Sequence, residues 1–441
     1  MIVLRLLLII STLWFVQVEA AVVSLKEQAQ KIDQILEDRL DNLLPELMQR
    51  QNIDMWLLIS REYNEDPILK TMLPSSWESA RRTTILLIYK DKDNAYQRLS
   101  VSRYAVGNLF KQAWDKEQQP NQWLALADLI KQIDPDNIAI NHSQHFALAD
   151  GLVHSEYQKL MSVLPQGLQA RVISSEPLAI AWLETRTPLE MEIYPQITDL
   201  GHGLIKRAFS NEVVTPGKTT LGDVAWWLRE QTTSLGLSNW FHPTVSIQRQ
   251  QDKTKFDQIA AFSGYDQSLI IEPGDLLHVD FGITYLRLNT DQQQHAYVLK
   301  PGETQAPQQL QLALQKANQL QDILLSHIKL SKTGNEVLAL ARQQAIESGL
   351  KPTIYTHPIG FHGHAAGATI GMWDQQQGVA VNGDYPIQPN TAYSIELNNA
   401  DFIQSWNKEI RIMLEEEAFF DGNQIKYLSG RQQQFHLIKS L

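Results

Sequence analysis

Between residues 25 and 50, apolar residues recur every three or four positions. Ile32, Ile35, Leu36, Leu40, Leu43, Leu44, Leu47 and Met48 stand among charged neighbours, the spacing of an amphipathic helix. The period then changes. Met55 to Ser60, Thr83 to Tyr89 and Asn137 to Ile140 are short apolar runs rich in β-formers, and they predict strands. Residues 145–162 predict another helix. This alternation implies a smaller α/β domain over residues 21–178. A new helix opens at Thr187-Pro188-Leu189-Glu190, where a capping threonine, a first-turn proline and a glutamate three residues after the cap coincide. Thr220-Leu221-Gly222-Asp223 resembles a second such start. Beyond it come a turn at Glu272 to Asp275, an apolar strand from Leu276 to Phe281, and helices over 305–328 and 334–348, the latter closed by Gly349. Short strands separated by Gly, Pro and Asn complete an α+β domain over residues 179–441. The glutamine clusters, Gln292 to Gln294 among them, are too short for low complexity.

The first twenty residues stand apart. Arg5 is followed by an apolar stretch from Leu6 to Val16, then Val18-Glu19-Ala20 with small residues where a signal peptidase reads. That layout predicts a cleaved signal peptide over residues 1–20 and a secreted or periplasmic protein. No later segment approaches the ~18 uninterrupted apolar residues of a membrane span, so no membrane association is expected after cleavage.

Composition narrows the function classes. The 441 residues include 38 Lys and Arg against 49 Asp and Glu, a net charge of −11, which argues against nucleic acid as a partner. No cysteine occurs, which excludes disulfides, thiolate nucleophiles and iron–sulfur clusters. There is no Gly-x-Ser-x-Gly elbow, His-Glu-x-x-His, phosphate loop or dinucleotide fingerprint.

What remains is acid placed inside apolar runs. Asp280 sits in Leu-Leu-His-Val-Asp-Phe-Gly, and Asp291 follows eleven residues later in a segment that returns as a partner strand. Glu396 interrupts Ala-Tyr-Ser-Ile-Glu-Leu, Glu415 ends Ile-Arg-Ile-Met-Leu-Glu, and His357 closes a β-like run in Tyr-Thr-His-Pro-Ile-Gly. One buried carboxylate is costly and four need neutralising, which a divalent metal does directly. Four carboxylates and an imidazole suit manganese, cobalt, iron or zinc better than copper. They exceed the needs of one ion, and a carboxylate-bridged pair about 3.5–4 Å apart would activate a water for hydrolysis.

In this order the residues resemble a known family. Asp280-Phe-Gly, Asp291, His357-Pro-Ile-Gly-Phe-His-Gly-His364, Ser394-Ile-Glu396 and Leu414-Glu415-Glu416 look like the pita-bread metallopeptidases, which include Xaa-Pro aminopeptidases, prolidases and methionine aminopeptidases. The resemblance is strongest to the Xaa-Pro peptidases. It implies a pita-bread catalytic domain with antiparallel sheet behind a creatinase-type α/β domain, and a homodimer. It further implies two divalent ions, manganese foremost, held by Asp280, Asp291, His357, Glu396 and Glu415. Glu396 would lie near the nucleophilic water as ligand or proton acceptor, and His364 would donate to the developing oxyanion. The expected activity is removal of the N-terminal residue of a peptide, before proline. Strand alternation places Glu415 and Glu417 on one face and Glu416 on the other.

The chain also departs from that pattern. Histidines usual in Xaa-Pro enzymes, seventeen residues before the first aspartate and four before the metal histidine, are replaced by Ser263 and Thr353. The arginine usual two residues before the last glutamate is replaced by Met413, with Arg411 on the same strand face. His242 and His362 are read as structural. These departures keep two alternatives in view: a prolidase-type dipeptidase, and a metal-binding peptide-binding protein with slow turnover. A creatinase-like amidohydrolase ranks below both, because such members lose the acidic ligands that this chain keeps.

Overall fold

The computed structural model describes residues 22–251 and 266–440; the expected signal peptide and Ser263 lie outside them. The chain enters through α1 (Leu25–Asp38), capped by Ser24 and Glu27 in a reciprocal box, runs through a π-turn at Arg39–Leu43 and continues as α2 (Leu44–Arg50). The predicted helix is therefore one rod with a π-bulge in it, and Arg39 at that bulge is fully buried.

Six strands follow: β1 (Met55–Arg61), β2 (Thr83–Lys90), β3 (Tyr96–Ser100), β4 (Lys111–Gln112), β5 (Ile138–Ile140) and β6 (Val172–Ser174). They form one mixed sheet in the order β4-β3-β2-β1-β5-β6. Its central strands read as unbroken apolar runs because both faces are covered. Trp56 and Leu58 of β1 join the core under α2 and α7, whereas Met55, Leu57 and Ile59 face the opposite core under α4 and α5. The helices of this half are α3 (Pro67–Thr71), α4 (Gln122–Ile133), α5 (His154–Val163), α6 (Gln166–Gln169) and α7 (Glu176–Glu184).

One expectation here is corrected. Residues 145–162 are not a single helix: a short 3-10 turn at Ala147–Ala149 precedes α5, which begins at His154. The break falls at Gly151, which lies so close to Asp66 that a Cβ would sit 2.1 Å from the Asp66 carboxylate. His142, His145 and His154 are exposed.

The second half opens with α8 (Pro188–Ala208), whose Thr187/Glu190 capping box forms as the motif predicts, and α9 (Leu221–Ser234), capped by Thr220 and Asp223. These helices cover a four-stranded sheet ordered β19-β11-β8-β7, where β7 is Thr244–Gln248, β8 Leu276–Phe281, β11 Gln292–Val298 and β19 His436–Ile438. The small pair β9 (Thr284–Tyr285) and β10 (Leu288–Asn289) loops out between β8 and β11. Helices α10 (Gln308–His327) and α11 (Gly334–Glu347) cover the rest: β12 (Pro352–Ile354), β13 (His357–Pro358), β14 (Thr391–Ser394), β15 (Leu397–Ile403), β16 (Lys408–Leu414), β17 (Glu417–Phe420) and β18 (Ile425–Tyr427). These make two further sheets, β12-β15-β16 and β13-β14-β17-β18. The architecture is an α/β layer followed by a predominantly antiparallel α+β body. No helix of the described residues is long and apolar enough to cross a membrane.

Candidate metal centre

The site forms where strands change sheet. β14 and β15 run against β17 and β16 as one long antiparallel ribbon, and the ribbon breaks at Ile395-Glu396 opposite Glu415-Glu416. At that break each strand leaves one sheet and enters the other, so Glu396 and Glu415 sit at the bend rather than inside regular ladder. β11 closes the remaining side. Gln293 exchanges backbone hydrogen bonds with Glu415, 3.0 and 3.2 Å, and pairs across β8 with Asp280. Asp291 enters immediately before β11, and His357 opens β13 opposite Ser394.

The five residues read from the sequence are thereby brought together. Ligand atoms of Asp280, Asp291 and Glu415 lie within 4.8 Å of one another, as do those of His357, Glu396 and Glu415, and those of Asp291, His357 and His364. His357 Nε2 stands 3.7 Å from Asp291 Oδ2 and 3.6 Å from Glu415 Oε1. Its Nδ1 donates to the carbonyl of Pro358, 3.0 Å away, which orients the ring with Nε2 facing the acids. Ser394 Oγ donates to Glu415 Oε1 at 2.7 Å, and the backbone N–H of Asp291 donates to Glu417 Oε1 at 2.6 Å.

The electrostatics are those of a group of acids that wants a cation. Burial first, and the Glu415 carboxylate second, push the Asp280, Asp291 and Glu396 carboxyls well above the ordinary range. Asp280 Oδ1 and His357 Nε2 are buried and have no hydrogen-bond partner among the described residues. Unpartnered buried polar atoms aimed at carboxylates are expensive unless something else satisfies them. A divalent ion fits this donor set, which is oxygen-rich with one imidazole.

Around the acids the three adjacent glutamates separate as alternation predicts. Glu415 faces the cluster. Glu416 points to the other side, where His202 Nε2 at 2.5 Å, Gln294 and the backbone of Gln432 bind it. Glu417 holds the backbone of Asp291. His364 stands beside His357 with ring centroids 4.8 Å apart and edge-on to Trp240 at 5.2 Å. Burial and then the neighbouring His357 push its imidazole down to about 4, against the pull of Glu415, which favours the neutral ring, and the residue is exposed to solvent. Gly363 permits this approach, since a Cβ there would lie 2.3 Å from the Trp240 ring.

Several participants carry no signal of their own in the sequence. Gln293 donates from Nε2 to Glu396 Oε1 at 2.8 Å and to Glu415 Oε2 at 2.6 Å. Its only sequence trace is the glutamine cluster at 292–294, all three of which are buried. Phe361, between the metal-centre residues His357 and His364, lies under the buried guanidinium groups of Arg39 and Arg186. Of the positions where the chain departs from the Xaa-Pro pattern, Thr353 accepts from Arg411 at 3.2 Å and Met413 donates its backbone N–H to His295. His242 packs on Trp226, ring centroids 4.9 Å apart. His362 is half-buried, and burial followed by Arg186 pushes its imidazole down to about 4.

Residues 197–418 match the sequence profile of metallopeptidase family M24. The chain belongs to that family. Solved structures share the fold over most of its length. The X-Pro aminopeptidase from Thermotoga maritima MSB8 has a TM-score of 0.64 at 16% identity, covering 89% of this chain and 99% of its own. The Xaa-Pro dipeptidase from Bacillus anthracis has a TM-score of 0.59 at 16% identity, covering 94% and 100%. The prolidase from Pyrococcus horikoshii OT3 has a TM-score of 0.56 at 14% identity, covering 92% and 99%. At such identities these likenesses speak for the fold. Among curated proteins none matches the sequence. As an M24 metallopeptidase the chain is a hydrolase, its fold is the pita-bread fold behind an α/β domain, and the acids and histidine at 280, 291, 357, 396 and 415 form groups that could hold metal.

Proposed function

We propose that this M24 metallopeptidase is an exopeptidase that removes the N-terminal residue of peptides, with proline as the preferred next residue, and that it uses two divalent ions, manganese foremost. Asp280, Asp291, His357, Glu396 and Glu415 would hold them. The observation that carries this reading is the pair of buried atoms without a partner among the described residues, Asp280 Oδ1 and His357 Nε2, directed into a cluster of carboxylates. Glu415 belongs to both the Asp280 group and the His357 group, the place of a bridging carboxylate. When bound, such ions supply Lewis acidity and lower the pKa of a coordinated water.

The protein groups account for the rest. The Pro358 carbonyl keeps the His357 ring oriented with Nε2 facing the acids. Glu396 is held by Gln293 through Oε1, and its carboxylate would hold metal or accept the proton of the attacking water. Neutral His364 has an N–H to offer the oxyanion that forms at the scissile carbonyl, a contribution of about 3–4 kcal/mol in comparable sites. Trp240 packs edge-on against His364 and limits the positions its ring can take.

The test is hydrolysis of a peptide panel followed by mass spectrometry, with manganese, cobalt or zinc and with a chelator. Chelator-sensitive loss of one N-terminal residue is expected, faster for Xaa-Pro peptides than for their alanine counterparts. Cleavage confined to dipeptides would indicate a prolidase-type dipeptidase. Metal binding without cleavage of any peptide would sink the exopeptidase reading and leave a peptide-binding protein.

A further inference from the structure

Gln293 touches two of the proposed metal-holding carboxylates, and its amide orientation can be deduced. Nε2 faces Glu396 Oε1 and Glu415 Oε2, both acceptors. A flipped amide would set its oxygen against two carboxylate oxygens, so the donor end must point there. Oε1 then faces His278 Nε2 at 2.9 Å, which must carry a proton to donate. His278 Nδ1 is left as an acceptor, and Ser246 Oγ stands 3.4 Å from it. All three side chains are buried, at 3% exposure for Ser246, 6% for His278 and 3% for Gln293. Ser246 and His278 are cross-strand partners on β7 and β8, and Gln293 follows diagonally on β11. Every polar atom of the row has a single assignment, running from Ser246 through His278 and Gln293 to the two glutamates.

We infer that Gln293, aligned by His278 and Ser246, is a positioning residue that sets the orientation of Glu396 and Glu415 toward the metal; this rests on the reading that those glutamates hold it. With one oxygen of each glutamate tied to the same amide nitrogen, the carboxylates are held in register across the ribbon break, and the Glu415 oxygen nearest His357 is held by Ser394. Groups that orient ligands in this way typically account for 10- to 100-fold in metal affinity.

The test is a manganese titration of the full chain, with apo-protein circular dichroism and melting curves as fold controls. Gln293→Met, similar in length but unable to donate, is expected to bind manganese roughly 10–100-fold more weakly. Ser246→Ala, at the far end of the row, should weaken binding by about threefold, the scale of one modest hydrogen bond. The double variant should bind no more weakly than Gln293→Met alone, because both act through one path. At saturating cobalt, the visible absorption bands of Gln293→Met should shift, reporting altered ligand geometry, a change that lost stability alone would not produce. Wild-type affinity in Gln293→Met, or full additivity in the double variant, would overturn the inference. Should Gln293→Met fail to fold, Ser246→Ala decides alone: wild-type affinity there overturns the row. Glu415→Gln run in parallel separates the two levels. If it binds manganese normally, the ligand reading itself fails; if only Gln293→Met is silent, the relay fails and the ligand reading stands.

Discussion

The guanidinium of Arg39, at the π-bulge of the first helical rod, lies 4.8 Å from the centroid of the Phe361 ring, between the residues of the metal centre. Arg186 lies 5.0 Å from the same ring. Both arginines are fully buried and share one carboxylate, Glu190, at 2.8 and 2.9 Å. That carboxylate also accepts from the Thr187 backbone to cap α8. The first helical rod is thus tied through charge and ring stacking to the segment that carries His364. Replacing Phe361 with leucine should slow turnover by about tenfold, since a stacked cation worth about 1–2 kcal/mol no longer fixes the segment. Metal content should not change. Steady-state kinetics with elemental analysis checks this, and unchanged kcat would refute the anchoring role.

Arg39→Met acts on stability. It removes one of the two cationic partners of a buried carboxylate that keeps Arg186 and the Thr187 backbone N–H, so the loss should be on the order of 2–3 kcal/mol, below the 3–5 of a pair left wholly unpartnered. Urea denaturation measures it.

The adjacent glutamates should behave oppositely. Glu415→Gln should abolish tight metal binding with little change in apo stability, because it removes one of several like charges. Glu416→Gln should leave the metal centre working and cost about 1–3 kcal/mol, because His202 loses its charged partner. Calorimetric metal titration and melting curves on the two variants distinguish the assignments. Loss of metal from Glu416→Gln would reverse them.

His364→Ala should lower kcat by roughly 100- to 1,000-fold, the range for losing one donor to an oxyanion, with KM nearly unchanged. Bound metal should persist. If metal is lost instead, His364 is a ligand, since its ring also reaches Asp291 and His357.

Glu184 provides a pH test away from the metal centre. It is buried, both its oxygens lack partners among the described residues, and burial pushes its carboxyl up to about 8 despite Arg50 and Arg186. The folded value is raised, so the proton favours the folded state. Its stabilisation is full below the unfolded value near 4.5 and is lost as pH rises toward 8. Glu184→Gln should therefore match the wild type at acid pH and exceed its stability by roughly 2–5 kcal/mol at pH 9. Denaturation at pH 5 and pH 9 gives the comparison; equal stability at pH 9 would refute it.

The four acids and the histidine that the fold brings together were legible in the sequence because an isolated carboxylate in an apolar run is costly enough to need a reason. Thr187 and Thr220 announced their helices because a reciprocal cap is local chemistry. The break of the ribbon at Glu396 and Glu415 was not legible, since a strand that changes sheets keeps its apolar pattern through the change. Residues 145–162 were misread because the contact that stops a helix there, Gly151 against Asp66, is distant in sequence. Gln293 and Arg39 escaped for the same reason: their partners are far along the chain, and a buried glutamine looks like a surface one until its partners are known.

Strand β11 carries a consequence for the order of folding. Three successive glutamines and a histidine are buried in it; the glutamine side chains are answered from α8, from Glu415 to Glu417 and from His436, and the His295 backbone N–H from Gln432. Until those distant segments have docked, water serves the strand better than the protein does. Such a strand is a poor nucleus, and its contacts belong late on the path to the native state. Substitutions at Gln294 should then speed unfolding and leave the refolding rate nearly untouched, so a strand rich in glutamine would govern how long the native state lasts more than how fast it forms.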